Sequence, residues 1–251
     1  MALRCANRKE VEFITLPAAP ADATQVRRKA TLALDGDGTL AGEIEEVFTG
    51  HYAIEFKARN WRRSEADCAK EFEKLTHRRL PGAELSGITF TNLRSRELPL
   101  TVKYRVRVPG YAQQAGSRLV FAPSYFEAGE NVLFTEPERK FPVAFPFARQ
   151  EHDEIEVVLP EGYALDNPSA PPVVGDGGKA LGASYQIKFV PRTRTLSYRR
   201  DFTLGGNGIT TFRVESYPLV KRLFEQLHAA DAHSLMLKPK ESAAAAPPAQ
   251  P

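Results

Sequence analysis

Leu100 to Val108 alternates without a break. Leu100, Val102, Tyr104, Val106 and Val108 are apolar; Thr101, Lys103, Arg105 and Arg107 are polar. Successive side chains of a strand point to opposite faces, so only an extended chain sorts this stretch into one buried and one wet face. Such a pattern marks an antiparallel sheet with one solvated side. The same period recurs at Phe141, Val143, Phe145 and Phe147, at Ile155, Val157 and Leu159, and at Tyr185, Ile187 and Phe189. A chain written this way is constrained to a mostly β fold.

Turn chemistry divides the strands. Asp35-Gly36-Asp37-Gly38 between Thr31–Leu34 and Leu40–Phe48 predicts a tight hairpin, because Asp-Gly supplies positive φ at little cost. Tyr52, Ile54 and Phe56 alternate after Gly50 and read as a third strand. Gly205-Gly206-Asn207-Gly208 marks a second turn. Pro142 and Pro146 place Phe141–Phe147 at a sheet edge, and the polar run from Ala148 to Asp153 reads as a connection. Two segments are helical by period. Cys68, Phe72 and Leu75 follow a possible Ser64 cap, predicting a helix over about 64–77. Val220, Leu223, Phe224 and Leu227 predict another over about 217–230, with Ser216 as N-cap and Pro218 in the first turn.

These signals predict two antiparallel β-sandwich-like domains, each with one packed helix. An arm and linker occupy 1–24, a first β-domain 25–127, a junction 128–140 and a second β-domain 141–238. The Ala/Pro-rich tail 239–251 is expected to be disordered.

Composition narrows function mainly by exclusion. Across 251 residues, 34 basic and 31 acidic side chains give a net charge of +3, too balanced to argue for a nucleic-acid partner. No run approaches the roughly 20 apolar residues of a membrane helix. The opening MALRCANRKEVEF has no apolar centre, so no signal peptide is read and the chain taken literally is cytoplasmic.

The chemistry-bearing residues each have a plainer account. Asp35 and Asp37, with Glu46, faintly imitate a calcium loop, but Leu40 stands where that loop needs glycine. Cys68 lies in a helical apolar stripe, and neither His51 nor His77 is spaced to activate it. Cys5 lies in a polar arm. His152-Asp153-Glu154 reads as a polar loop with no second ligand group. Lys103, Arg105 and Arg107 line one strand, and Arg192, Arg194, Arg199 and Arg200 surround a hairpin. Solvated faces explain both groups better than an anion site. The stripe on the last helix is expected to pack on its own sheet. No catalytic, cofactor-binding or metal residue is assigned.

Arg139-Lys140-Phe141-Pro142-Val143, Leu159-Pro160-Glu161-Gly162-Tyr163, Tyr198-Arg199-Arg200, the closing Tyr217 to Phe224 and Leu235 to Lys238 together resemble the C-terminal region of bacterial transglutaminase-like proteins. Leu34 to Gly42 resembles the strand pair that follows the catalytic core in that family. The resemblance covers about residues 10–238. It implies β-domains flanking a papain-like core, and a periplasmic or envelope setting. The core itself has no counterpart here, since it needs a cysteine at a helix start with a histidine and an acid or amide. The expectation is therefore a non-catalytic accessory region. It would support or present such a core, or bind an envelope protein or polymer. Two alternatives stand beside it. One is the tail of a cysteine-dependent transglutaminase or amidase whose core is missing from this chain; the other is a free-standing peptide- or glycan-binding module.

Overall fold

The computed structural model describes residues 2–7, 10–14, 19–166, 168–177 and 180–240. In chain order come β1 (Ala2–Asn7), β2 (Glu10–Ile14), β3 (Gln25–Leu34), β4 (Leu40–Phe48), α1 (Gly50–Asn60) and α2 (Glu65–Arg79). Then follow β5 (Glu84–Thr91), β6 (Leu100–Val108), β7 (Gln113–Ala115), β8 (Arg118–Phe121), β9 (Val143–Ala144) and β10 (Arg149–Val158). The chain closes with β11 (Tyr163–Leu165), β12 (Val174–Gly175), β13 (Leu181–Val190), β14 (Thr195–Leu204), β15 (Thr211–Phe212), α3 (Tyr217–Asp231) and β16 (Leu235–Pro239). The fold is mostly β, as the alternation requires. The residues read as a disordered tail lie outside the described ones from 241 onward.

Eight strands form one mixed sheet in the order β12-β13-β14-β10-β3-β4-β6-β5. Strands from both halves of the chain therefore share a single ladder. They meet at β3 and β10, which run parallel; every other neighbouring pair in this sheet is antiparallel. Parallel neighbours need a long crossover, and everything between Leu34 and Arg149 serves as one. A wholly antiparallel arrangement is thus corrected at this one seam. A smaller sheet, β11-β16-β8-β7, ties Arg118–Phe121 to the end of the chain through Leu119↔Leu237.

Register puts the buried side chains of the large sheet on one face. Ala30 stands opposite Ile44 and Ile155, Ile44 opposite Tyr104, and Ile155 opposite Tyr198. All five are buried. They share one core with Ala53 of α1, Cys68 and Phe72 of α2, Leu223 and Leu227 of α3, and Leu119 and Leu237 of the small sheet. The opposite face carries paired charges: Lys29–Glu154 at 3.4 Å, Lys103–Glu45 at 2.6 Å, Arg105–Glu43 at 3.2 Å and Arg107–Glu84 at 3.3 Å. The basic stripe on β6 is a solvated sheet face balanced by its neighbours.

Several local readings change. Tyr52, Ile54 and Phe56 lie in a helix, so the first half holds two helices rather than one. The buried positions of α1 are Ala53, Lys57 and Asn60, at helical spacing but two of the three polar, which hid the period. The Lys57 ammonium ends on the Leu98 carbonyl at 2.5 Å. Ser64 caps α2 as expected, its hydroxyl accepting from the Asp67 amide at 3.1 Å. Ser216 does not cap α3 through its side chain, although Pro218 does occupy the first turn. The run 141–147 contributes only the two residues of β9 to a strand, and Phe141 is exposed. Phe145 instead packs with Phe134 and Phe224. The segment read as a connection, 149–153, belongs to β10.

Candidate functional site

Three strands carry an ionisable residue in phase with their apolar face. On β3 the inward positions run Val26, Arg28, Ala30, Leu32, Leu34; on β10, Asp153, Ile155, Val157; on β14, Leu196, Tyr198, Arg200, Phe202, Leu204. Register sets Asp153 directly beside Arg28 on one side and Arg200 on the other. Glu46 of β4 stands opposite Arg28, and Tyr185 of β13 opposite Arg200. The result is a row of alternating sign, Glu46–Arg28–Asp153–Arg200, ending on a phenol, across five adjacent strands and on the inner face of the sheet.

Hydrogen bonds close the row. Arg28 grips Asp153 with two bonds, Nε to Oδ1 at 2.6 Å and Nη2 to Oδ2 at 3.0 Å, and reaches Glu127 at 2.7 Å. Arg200 grips Asp231 of α3 the same way, at 2.8 and 3.1 Å, and donates to Glu151 at 3.1 Å. Tyr185 donates to Asp231 at 3.1 Å, Tyr52 to Glu151 at 2.8 Å and Tyr104 to Glu46 at 2.7 Å. Paired geometry of this kind is what permits charge to stay buried. The Arg28 guanidinium also sits 4.8 Å from the centre of the Phe126 ring.

Above this row lies a cavity of about 370 Å³. Arg28, Glu151, Arg200 and Asp231 form its ionic floor, and Glu130, Asn131 and His228 are among the polar groups lining it. The Arg28, Arg149 and Arg200 guanidiniums face the Glu46, Glu127, Glu130, Glu151, Asp153 and Asp231 carboxylates, so acids outnumber bases. Burial pushes the Asp153 carboxyl up to about 6, against the pull of Arg28 and Arg200. Burial also acts on Glu151, but Arg200, Arg28 and Arg149 together overcome it and bring that carboxyl down to about 2. One carboxylate thus retains its charge far into acid, while its neighbour takes up a proton as pH falls through about 6.

Glu151 makes stability depend on pH in a definite direction. Its folded-state value lies below the ordinary 4.5, so its contribution is present above that value and is lost as pH falls through about 2. Asp153 acts oppositely, losing its contribution as pH rises from 3.8 through about 6. The two offset each other between about pH 4 and 5, so the acid loss due to Glu151 shows below about pH 4. Urea unfolding between pH 2 and 4 is expected to give a shallower slope of stability against pH in Glu151→Gln than in the parent. Equal slopes would contradict the assignment.

The residues singled out from sequence disperse. His152, Asp153 and Glu154 split across the sheet: Asp153 faces inward, His152 pairs with Asp201 at 2.7 Å and Glu154 with Lys29. Arg199 joins Asp201 at 2.9 Å, Arg194 meets Glu161 at 2.5 Å, and only Arg200 of that basic group turns inward. Asp37 accepts from the Thr39 amide at 2.8 Å within the hairpin turn, and Glu46 lies on the inner row. Among the described residues, no group of three or more histidine, cysteine, aspartate or glutamate side chains could hold a metal ion. Cys68 is fully buried, its sulfur 3.9 Å from the Asn60 carbonyl, and burial pushes its thiol up. His51 stacks on Phe147, and His77 meets the Ala83 carbonyl at 2.7 Å. The Cys5 side chain lies outside the described residues.

Residues 117–237 match a family described as "Domain of Unknown Function with solved-structure structure (DUF3858)". The match opens at β8 and closes in β16, two strands that pair, and it includes β10, β13, β14 and α3. It therefore contains Glu127, Glu151, Asp153, Arg200 and Asp231 of the ionic site but not Arg28, which β3 supplies from outside it. Comparison with curated proteins finds no match.

Proposed function

We propose that this chain is a non-catalytic accessory β-module that binds or presents a partner. The observation that supports the reading is the inner ionic row. The charged groups on the floor of the cavity are committed to one another by hydrogen bonds across β3, β10, β14 and α3. Arginine–carboxylate pairs of this kind join structural elements and leave no activated nucleophile–base pair. Cys68 adds to this: a thiol with its ionisation suppressed by burial is a poor nucleophile.

The partner that the sequence resemblance favours is a transglutaminase-like core, or otherwise an envelope protein or polymer. The test is co-purification of this chain with a transglutaminase-like core, alongside an assay of amide hydrolysis and exchange by the chain alone. A stable complex with no turnover is the expected result. Turnover that disappears in Cys68→Ala or Cys5→Ala would reverse the reading in favour of a cysteine enzyme. In a Cys5→Ser background, a thiol reagent is expected to label Cys68 only as fast as the fold opens. Rapid labelling of the native chain would contradict its placement in the core.

A further inference from the structure

The α1–α2 corner holds a second concavity, of about 740 Å³, that shares no lining residue with the ionic cavity. Ile54, Ala58 and Trp61 give it apolar surface, and Arg59, Arg62, Arg63 and Arg96 surround them. Ile54 is 56% exposed and Trp61 41% exposed. Large apolar side chains left in water inside a ring of like charge are a costly arrangement for a surface with no partner. Two carboxylates answer this charge: Glu55 pairs with Arg59 at 3.3 Å and Glu71 with Arg63 at 3.5 Å. Arg62 is exposed and has no ion pair among the described residues, and the Arg96 guanidinium lies 5.5 Å from the Trp61 ring centre.

The corner is also held in shape. Arg94 donates to the carbonyls of Asn60 at 2.7 Å, Trp61 at 2.6 Å and Arg63, fixing the turn that displays Trp61 and Arg62. A clamp on three carbonyls of one turn preorganises the surface that the turn displays. We propose that this corner binds an acidic peptide segment of a partner protein through an apolar anchor residue seated on Trp61, Ile54 and Ala58, with its carboxylates on Arg62 and Arg96.

Charge complementarity selects the occupant. Guanidiniums match carboxylates in planar, two-bond geometry, and the apolar floor needs a side chain rather than a charged group to fill it. A single-stranded nucleic acid would need several stacking faces, whereas Trp61 is the single aromatic ring lining this pocket and Arg96 lies against it.

The proposal rests on the reading of the chain as a binding module and names the surface used. Trp61 is the chain's sole tryptophan, so its fluorescence reports this site alone. A synthetic peptide of aspartate and glutamate with one central leucine is expected to shift Trp61 emission saturably, and added salt is expected to weaken the binding. Arg62→Glu combined with Arg96→Glu is expected to weaken it about tenfold or more, with melting unchanged because both side chains are exposed. The leucine-to-glycine peptide is expected to bind measurably less well. No emission change, equal binding by the double variant, or equal binding by the glycine peptide would each overturn the proposal. So would tighter binding of polyuridylate or of phosphatidylglycerol vesicles, which would indicate a nucleic-acid or lipid surface. If the peptide fails while the chain still co-purifies with a core, the surface is wrong and the module reading stands. Cysteine-dependent turnover with peptide binding intact separates them the other way.

Discussion

Arg200→Ala is expected to lower the unfolding free energy by about 3–5 kcal/mol, the range for removing one partner of a buried ion pair. The side chain is almost wholly buried and holds Asp231 with two bonds and Glu151 with a third. Deleting it strands Asp231 without its arginine and leaves Arg28, with Arg149 on Glu151, to balance Asp153, Glu151 and Glu127. Arg200→Lys keeps the charge but loses the fork, and is expected to recover less than half of the loss. Urea unfolding gives both values. A loss under about 1 kcal/mol for the alanine variant, the range of exposed pairs, would show that the row does not carry buried charge.

Gly129→Ala is expected to cost about 2–5 kcal/mol, combining roughly 1–2 for a left-handed backbone with 1–3 for a steric clash. Gly129 has φ +79°, and a methyl there would lie 1.9 Å from the Arg79 carbonyl oxygen. That carbonyl is backbone at the end of α2, so relief requires the loop to move. The loop is already fastened there, because the Arg79 side chain donates to the Tyr125 and Ala128 carbonyls. The same loop carries Glu127 to Arg28. Gly129→Ala and Glu127→Gln are therefore expected to cost less together than their sum, since each loosens the same contact. Simple additivity in denaturant midpoints would separate the glycine from the ionic site.

Long alternating strands were legible from sequence. Leu100–Val108 forms β6 over those very residues, the Asp35–Gly38 hairpin follows its turn signal, and the two longest helices follow their apolar periods, α2 with its Ser64 cap and α3 with Pro218 in its first turn but no side-chain cap from Ser216. Short patterns misled. Three alternating residues at 52–56 fit a strand, while their true helix buries a lysine stem and an asparagine that a hydrophobic count passes over. The ionic row was hidden for another reason. Arg28, Asp153 and Arg200 look solvent-facing one strand at a time, and their partners appear only when three strands are set side by side. A signal was present: each is an ionisable residue in step with the apolar positions of its own strand.

The parallel seam has a bearing on how the chain is made. Arg28 and Asp153, which meet across it, are 125 residues apart. At synthesis rates of about 5–20 residues per second, β3 waits on the order of ten seconds after leaving the ribosome before β10 exists to cover it. Throughout that interval the nascent chain offers an open strand edge, and Arg28 lacks the Asp153 carboxylate that it will grip. Translation products ending before Arg149 would keep that edge, and they are expected to aggregate rather than to fold as a smaller protein, which the solubility of a chain ending at residue 148 would check.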